Sequence, residues 1–477
     1  MNFMLFAPEF AVTVLAFLVL GADLVLNRDN KRYLPWIGLI GLIGVLVLSL
    51  LYLGNKDAEL YDGLFLIDGF SLFFKIFFVV LGVLVILLSV DFVKQHLSHP
   101  GEYYGILLFS ILAMMLMAAS GELLTAYISL ELLSFSLYVL VAFGRDNPRS
   151  NEAGVKYILL GAFASALLLF GISQIYGLLG TTRFAEIREV LLLDPSPLNP
   201  GVSIGLVFIL VGIGFKVAAV PFHMWAPDVY EGAPTPVTAY LAVGSKAAAF
   251  ALVLRLFSQA FMPAIDDWQI ILVVLAALTM TLGNLVALVQ TNIKRMLAYS
   301  SIGHVGFLLM GVAALSQLAS DGIILHLAGY GFTNLAAFLC VIVLYNATGE
   351  EDISGYAGLA TRAPFVALAL SISLFSLAGL PFFAGFTTKF YLFTAVAKGG
   401  LIWLVGIAIV SSLVSLYYYL MVIKQMYMVE ARDDSSVGVS GLNKMTLGLL
   451  VAGVLVIGVY PGPLVDAIQG ATTIIFP

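Results

Sequence analysis

Residues 212–250 read GIGFKVAAVPFHMWAPDVYEGAPTPVTAYLAVGSKAAAF. Lys216 and Lys246 each sit in an apolar run on either side of a proline-rich turn, and Pro221 breaks the first run. A lysine at the centre of a bilayer costs about 2.5–3.5 kcal/mol on the insertion scale. Such residues are rare and mark ion or proton paths, so the stretch reads as part of a functional site held within a membrane.

The rest of the chain agrees with a membrane setting. Of 477 residues, 61% are hydrophobic and 10% charged, too few polar groups to cover a soluble domain of this size. Apolar runs of 18 residues or more recur from end to end, and the short alternating segments of a β-barrel do not. The fold class expected is an all-α polytopic membrane protein. About fourteen spans are predicted, near 3–26, 34–54, 68–92, 103–119, 122–143, 153–178, 202–222, 236–258, 268–289, 295–314, 322–346, 363–396, 401–428 and 443–463. The run 363–396 exceeds the roughly 20 residues that cross a bilayer, and Ala378-Gly379-Leu380-Pro381-Phe382 suggests a break in its middle. The N-terminus lacks a basic start and a small-residue cleavage site, and reads as a first span.

Loops after odd-numbered spans hold 12 of the 22 basic residues, from Arg28 to Lys444 and including Lys294 and Arg432. The other loops hold five: Lys56, Arg183, Arg188, Arg255 and Lys398. The positive-inside rule then puts both termini on the non-cytoplasmic side. The remaining five basic residues, Lys75, Lys156, Lys216, Lys246 and Lys389, fall inside spans, with no arginine among them. A buried lysine is able to lose its proton, whereas arginine stays charged.

Ala218-Ala219-Val220-Pro221-Phe222 resembles Ala378-Gly379-Leu380-Pro381-Phe382 across five intervening spans, so the second copy would be inverted. Paired broken helices in inverted halves point to a transport path near the midplane. The units expected are 1–102, an N-terminal three-helix segment; 103–260 and 261–430, two inverted five-helix repeats; and 431–477, the last helix.

Glu131 lies mid-span with Ser134 and Tyr138 at i+3 and i+7, one polar stripe. A buried carboxylate needs a basic partner, and Lys216 is the candidate. The competing reading is a static pair that only sets helix register. Lys246 has no acid on its own helix, and its distance from either end makes snorkelling a poor alternative. Lys389 follows Thr387 and Thr388 just after the second break, where an end-of-helix anchor is the rival reading. His304, one turn from Ser300, suits a relay between Lys246 and Lys389 or simply a neutral core histidine, with His326 a weaker candidate of the same kind. Lys156 pairs at i,i+4 with Glu152 and reads as an anchor at the cytoplasmic end. Lys75 reads as snorkelling, and Glu9 and Asp23 as interfacial. Asp228 and Glu231 either gather protons at an entrance or belong to a rigid turn. Cys340 is alone, so no disulfide forms within the chain, and no P-loop or glycine-rich dinucleotide fingerprint occurs. No cofactor or metal is expected in this chain, and a net charge of −6 gives no reason to expect nucleic acid.

LLTAYISLELLSFSLY (123–138), GFKVAAVPFHMWAPDVYEGAPTPVTAYLAVGSKAAAF (214–250), NIKRMLAYSSIGHVGFLLMG (292–311) and LAGLPFFAGFTTKF (377–390) resemble the antiporter-like subunits of respiratory complex I and of multisubunit cation/proton antiporters. PDVYEGAPTPV followed by GSK narrows the resemblance to one branch of that family. The chain ends soon after the fourteenth span, without the long lateral helix of chain L, and it keeps Lys389 where chain M has glutamate. The resemblance implies a proton-translocating membrane-arm subunit of a bacterial inner-membrane NADH–quinone oxidoreductase, with a Na⁺/H⁺ antiporter subunit as the alternative. It implies that Glu131 and Lys216 act as a pair, Lys246 as the connecting lysine and Lys389 as the terminal one. Lys156 and His304 would be secondary positions on the hydrophilic axis. It implies NAD, FMN, iron–sulfur clusters and quinone in partner subunits, and chain M, small chain K and the lateral helix of chain L as neighbours in the bilayer.

Overall fold

The computed structural model describes residues 3–52, 57–193, 198–431 and 436–476; Lys56 and Arg432 of the loop tally and the predicted end of the second span lie outside them. Among the described residues, thirteen helices are long and apolar enough to cross a membrane. A fourteenth is made in two pieces, Pro364–Ala378 and Ala384–Lys398. Several spans begin where a polar side chain caps free N–H groups. Asp68 and Ser71 form a reciprocal capping box at the third span, and Asn292 accepts from Lys294 and Arg295 at the tenth. Gly180 and Gly349 end two 32-residue helices in the left-handed conformation that glycine adopts without strain.

The seventh span, Pro200–Val217, stops at Ala218, which has φ 62°. Ala218 N–H bonds Phe215 O at 3.0 Å and Ala219 N–H bonds Gly214 O at 2.8 Å. The twelfth stops the same way: Gly379, at φ 90°, bonds Ser376 O at 2.9 Å and Leu380 bonds Phe375 O at 3.0 Å. Both breaks are therefore Schellman caps, so each of the two proline motifs follows a helix that ends in the same way. A short helix, Trp225–Gly232, follows the first break and Ala384–Lys398 the second.

The eighth span, Thr235–Gln259, is wrapped on all sides, and the tenth (Ile293–Ala313) and eleventh (Gln317–Thr348) nearly so. The thirteenth, Ile402–Met428, lies at the periphery. Five residues of the eighth span, Leu241–Ser245, wind as a π-helix directly before Lys246. Such a bulge turns the following side chain off the regular register and recurs at functional sites. Polar chemistry in these wrapped spans faces protein instead of lipid.

The all-α fold class holds, with one small addition: β1 (Ala58–Leu60) and β2 (Phe65–Ile67) form an antiparallel hairpin, with the Phe65 ring edge-on to Phe6 at 5.0 Å. Readings of single residues need correction. Arg255 is no loop residue. It is fully buried near the end of the eighth span, bonding both Asp68 oxygens at 2.7 Å and Ala118 O at 3.0 Å. The span interiors are therefore not free of arginine; a guanidinium is tolerated where a carboxylate meets both arms of its fork. Lys294 is likewise buried, 2% exposed. Lys75 does not snorkel. It is fully buried 2.7 Å from Glu9, which is itself buried, so the two form an ion pair inside the N-terminal segment. Asp23, also buried, meets Lys31 at 2.9 Å.

Candidate functional site

Breaking a helix inside a membrane frees backbone groups that lipid cannot satisfy. At the first break the Trp225 indole N–H donates to Phe215 O at 2.9 Å and Thr279 Oγ1 accepts from Val220 N at 3.0 Å. At the second, Lys389 Nζ does the same work: it donates to Leu377 O at 2.8 Å, Ala378 O at 3.2 Å and Ser412 Oγ at 3.0 Å. An ammonium at the C-terminal carbonyls of a half-helix sits on the negative end of its dipole. Lys389 is thus tied to the break itself and is no lipid-facing anchor; it is 5% exposed. Gly379 leaves the space. A Cβ there would stand 3.2 Å from Lys389 Cδ and 3.4 Å from Nζ, on a backbone already at φ 90°. Gly379→Ala is expected to cost about 1–2 kcal/mol, the usual price of a left-handed non-glycine residue. An unchanged thermal unfolding midpoint would show that the break relaxes.

Lys216, 2% exposed, donates to Ser134 Oγ at 2.9 Å. Glu131 is one turn away on the same helix and accepts from Ser165 at 2.5 Å. The expected direct Glu131–Lys216 ion pair is not formed: the two hydroxyls take the hydrogen bonds that the pair would have exchanged. Glu131 is half-buried on the outer wall, between Ile128 and Phe135, which are 66% and 57% exposed.

Lys246, 3% exposed, donates to Ser301 Oγ and lies 5.9 Å from the Tyr230 ring centre. Ser301 precedes His304 by one turn. His304 Nδ1 and His326 Nε2 are 3.1 Å apart, and His326 Nδ1 and Thr388 Oγ1 are 3.0 Å apart. Thr388 is the neighbour of Lys389. The hydrogen-bonded stretch is thus His304–His326–Thr388, with the Lys246–Ser301 pair one helical turn from His304 at one end and Lys389 next to Thr388 in sequence at the other. In each histidine pairing one atom donates and the other accepts, the roles set by the histidine tautomer. Between Lys216 and Lys246 the wall is aromatic: Tyr157 stacks on Trp225 at 4.5 Å, and Trp225 lies 5.4 Å from Phe215 and 6.4 Å from Tyr230. Among the described residues the buried Tyr157 hydroxyl has no hydrogen-bond partner, and the Tyr230 hydroxyl faces Ser301.

Lys156 stands apart. Its side chain is 42% exposed and pairs with Glu152 and Asp228, each at 2.8 Å. Asp228 also meets Arg295 at 2.7 Å, and Arg295 meets Glu231 at 2.9 Å. The two acids are not free proton collectors; this network ties the sixth span to the tenth. Burial pushes the Asp228 carboxyl up, but hydrogen bonds from Lys156 and Arg295 outweigh it and hold Asp228 below its ordinary range.

Sequence reasoning overlooked Ser165 and Ser301, and placed Ser134 and Thr388 beside Glu131 and Lys389 without assigning either a partner. Serine and threonine in membrane helices routinely bond their own backbone, as Ser134 also does to Leu130 O at 2.8 Å, so residue type carried no signal.

Residues 120–415 match the family described as NADH:quinone oxidoreductase/Mrp antiporter, TM. NADH-quinone oxidoreductase subunit N of Desulforamulus reducens is 41% identical over 466 residues, covering 98% of this chain and 97% of that protein. The protein of the same description from Trichlorobacter lovleyi is 43% identical over 477 residues, covering 99% and 98%. A chain of respiratory complex I from Thermus thermophilus with bound aureothin superposes with a TM-score of 0.80 at 29% identity, covering 97% of this chain and 99% of that one.

Proposed function

Since the chain belongs to the NADH:quinone oxidoreductase/Mrp antiporter family of membrane subunits, we propose that it is a proton-translocating subunit of a bacterial respiratory NADH–quinone oxidoreductase. Protons pass along Glu131, Lys216, Lys246, His304, His326 and Lys389. One observation carries this reading: among the described residues, Lys216, Lys246 and Lys389 are buried with no carboxylate within ion-pair distance, each held instead by hydroxyls or carbonyls. A fixed structural cation would be paired, as Arg255 and Lys75 are. Amines held by weak neutral acceptors suit groups that alternate between charged and neutral.

Electron transfer belongs to partner subunits, which hold NAD, FMN, iron–sulfur clusters and quinone. Residues 103–260 and 261–430 form the two half-units of the path, flanked by 1–102 and 431–477. Glu131 opens on the outer wall, where a carboxylate facing hydrocarbon is costly. A neighbouring membrane subunit of the small chain K type covers it, with chain M at the Lys389 end and the lateral helix of chain L alongside. Lys156 steadies the axis from its surface network. Both termini lie on the non-cytoplasmic side.

The test is proton uptake by the purified complex in sealed vesicles during NADH oxidation. Transport is expected to be independent of Na⁺, because amines are poor ligands for a cation that prefers oxygen. Sodium-dependent transport would replace this reading with a cation antiporter.

A further inference from the structure

The loops after the third, fifth, seventh, ninth and eleventh spans converge on one surface cleft of about 240 Å³. Its lining is polar and includes His96, Arg149, Glu231, Lys294 and Glu351. Lys294, 2% exposed, donates to Glu351 Oε1 at 2.7 Å and to Ala233 O at 3.1 Å. The Glu351 side chain remains 16% exposed. The other charged groups acting on Lys294 are Glu231, which Arg295 engages, and Arg149. The relay described above uses neither Lys294 nor Glu351.

Two elements lead from this pair to Lys246. Lys294 and Ser301 are seven residues apart on one helix, which places them on the same face about 10 Å apart. Ser301 is the hydroxyl that receives Lys246. Ala233, whose carbonyl receives Lys294, directly follows the helix Trp225–Gly232. On that helix the Tyr230 ring lies 5.9 Å from Lys246 Nζ, and its hydroxyl faces Ser301, the same hydroxyl that receives Lys246.

We propose that the Lys294–Glu351 pair is the proton inlet to the relay, on the side where the odd-numbered loops gather. This rests on Lys246 being a relay member. Glu351 takes a proton from cleft water and passes it to Lys294 as Lys294 releases its own proton inward to neutral Lys246. One proton enters from water, one leaves to Lys246, and the pair returns to its ionised form. A purely structural clamp is already present without these side chains: Ile293 N–H bonds Glu351 O at 2.9 Å and Ile353 N–H bonds Thr291 O at 2.8 Å.

Glu351→Gln, the double variant Lys294→Met/Glu351→Gln, Glu351→Asp and Lys246→Met are compared in the intact complex in vesicles, reading protons moved per NADH oxidised. The double variant leaves no lone buried charge. Glu351→Gln and the double variant are expected to lower the ratio by the same fraction as Lys246→Met, and Glu351→Asp to restore it. A wild-type ratio in the double variant alongside a lowered one in Lys246→Met would overturn the inlet and keep the relay. A wild-type ratio in Lys246→Met would overturn the relay reading, and the inlet with it.

Discussion

Lys216→Met is expected to remove this subunit's share of the protons moved per NADH while the complex still assembles. The side chain is buried, its ammonium meets no carboxylate, and its polar contact is the Ser134 hydroxyl. Methionine fills nearly the same volume, and Ser134 keeps its bond to Leu130 O, so packing changes little. What goes is the group able to hold and give up a proton. Glu131→Gln should act in the same direction and preserve acceptance from Ser165. Moving one proton against 100 mV takes about 2.3 kcal/mol, so a path missing a carrier cannot be driven by leakage around it. Proton-to-NADH ratios in reconstituted vesicles decide the matter; a ratio equal to wild type in both variants removes these residues from the path.

Arg255→Met is expected to be the most destabilising single change, at about 3–5 kcal/mol. Its guanidinium joins the eighth span to the cap of the third and to the fourth through Ala118 O. Removing it strands Asp68, 7% exposed, as an uncompensated buried carboxylate. Adding Asp68→Asn should recover much of the loss, since the pair's desolvation goes with it. Thermal unfolding of the purified complex is the measurement. An undiminished midpoint for Arg255→Met would mean that water reaches Asp68 after all.

The broken helices were visible in the sequence because proline removes a donor and cannot continue a helix, whatever surrounds it. The lysines were visible because their cost in lipid is intrinsic to the residue. Arg255 was misread because a tally of loop charges uses position near a span end, and its partner Asp68 is remote in sequence. Lys75 was misread for the same reason: Glu9 lies on another helix. The π-helix before Lys246 left no mark in a run of small residues, because its geometry comes from the packing around Leu241–Ser245.

Composition, apolar periodicity and the paired proline motifs determined by themselves that this is a helical membrane protein of fourteen spans with a break in each half. Those features follow from transfer free energy and backbone chemistry, which are local. Only the tertiary structure decided which hydroxyl meets each lysine, that His326 bridges His304 to Thr388, and that Glu131 and Lys216 stand apart. These depend on how helices distant in sequence rotate against one another. Within a membrane, one polar side chain facing another is settled by packing that no single helix contains.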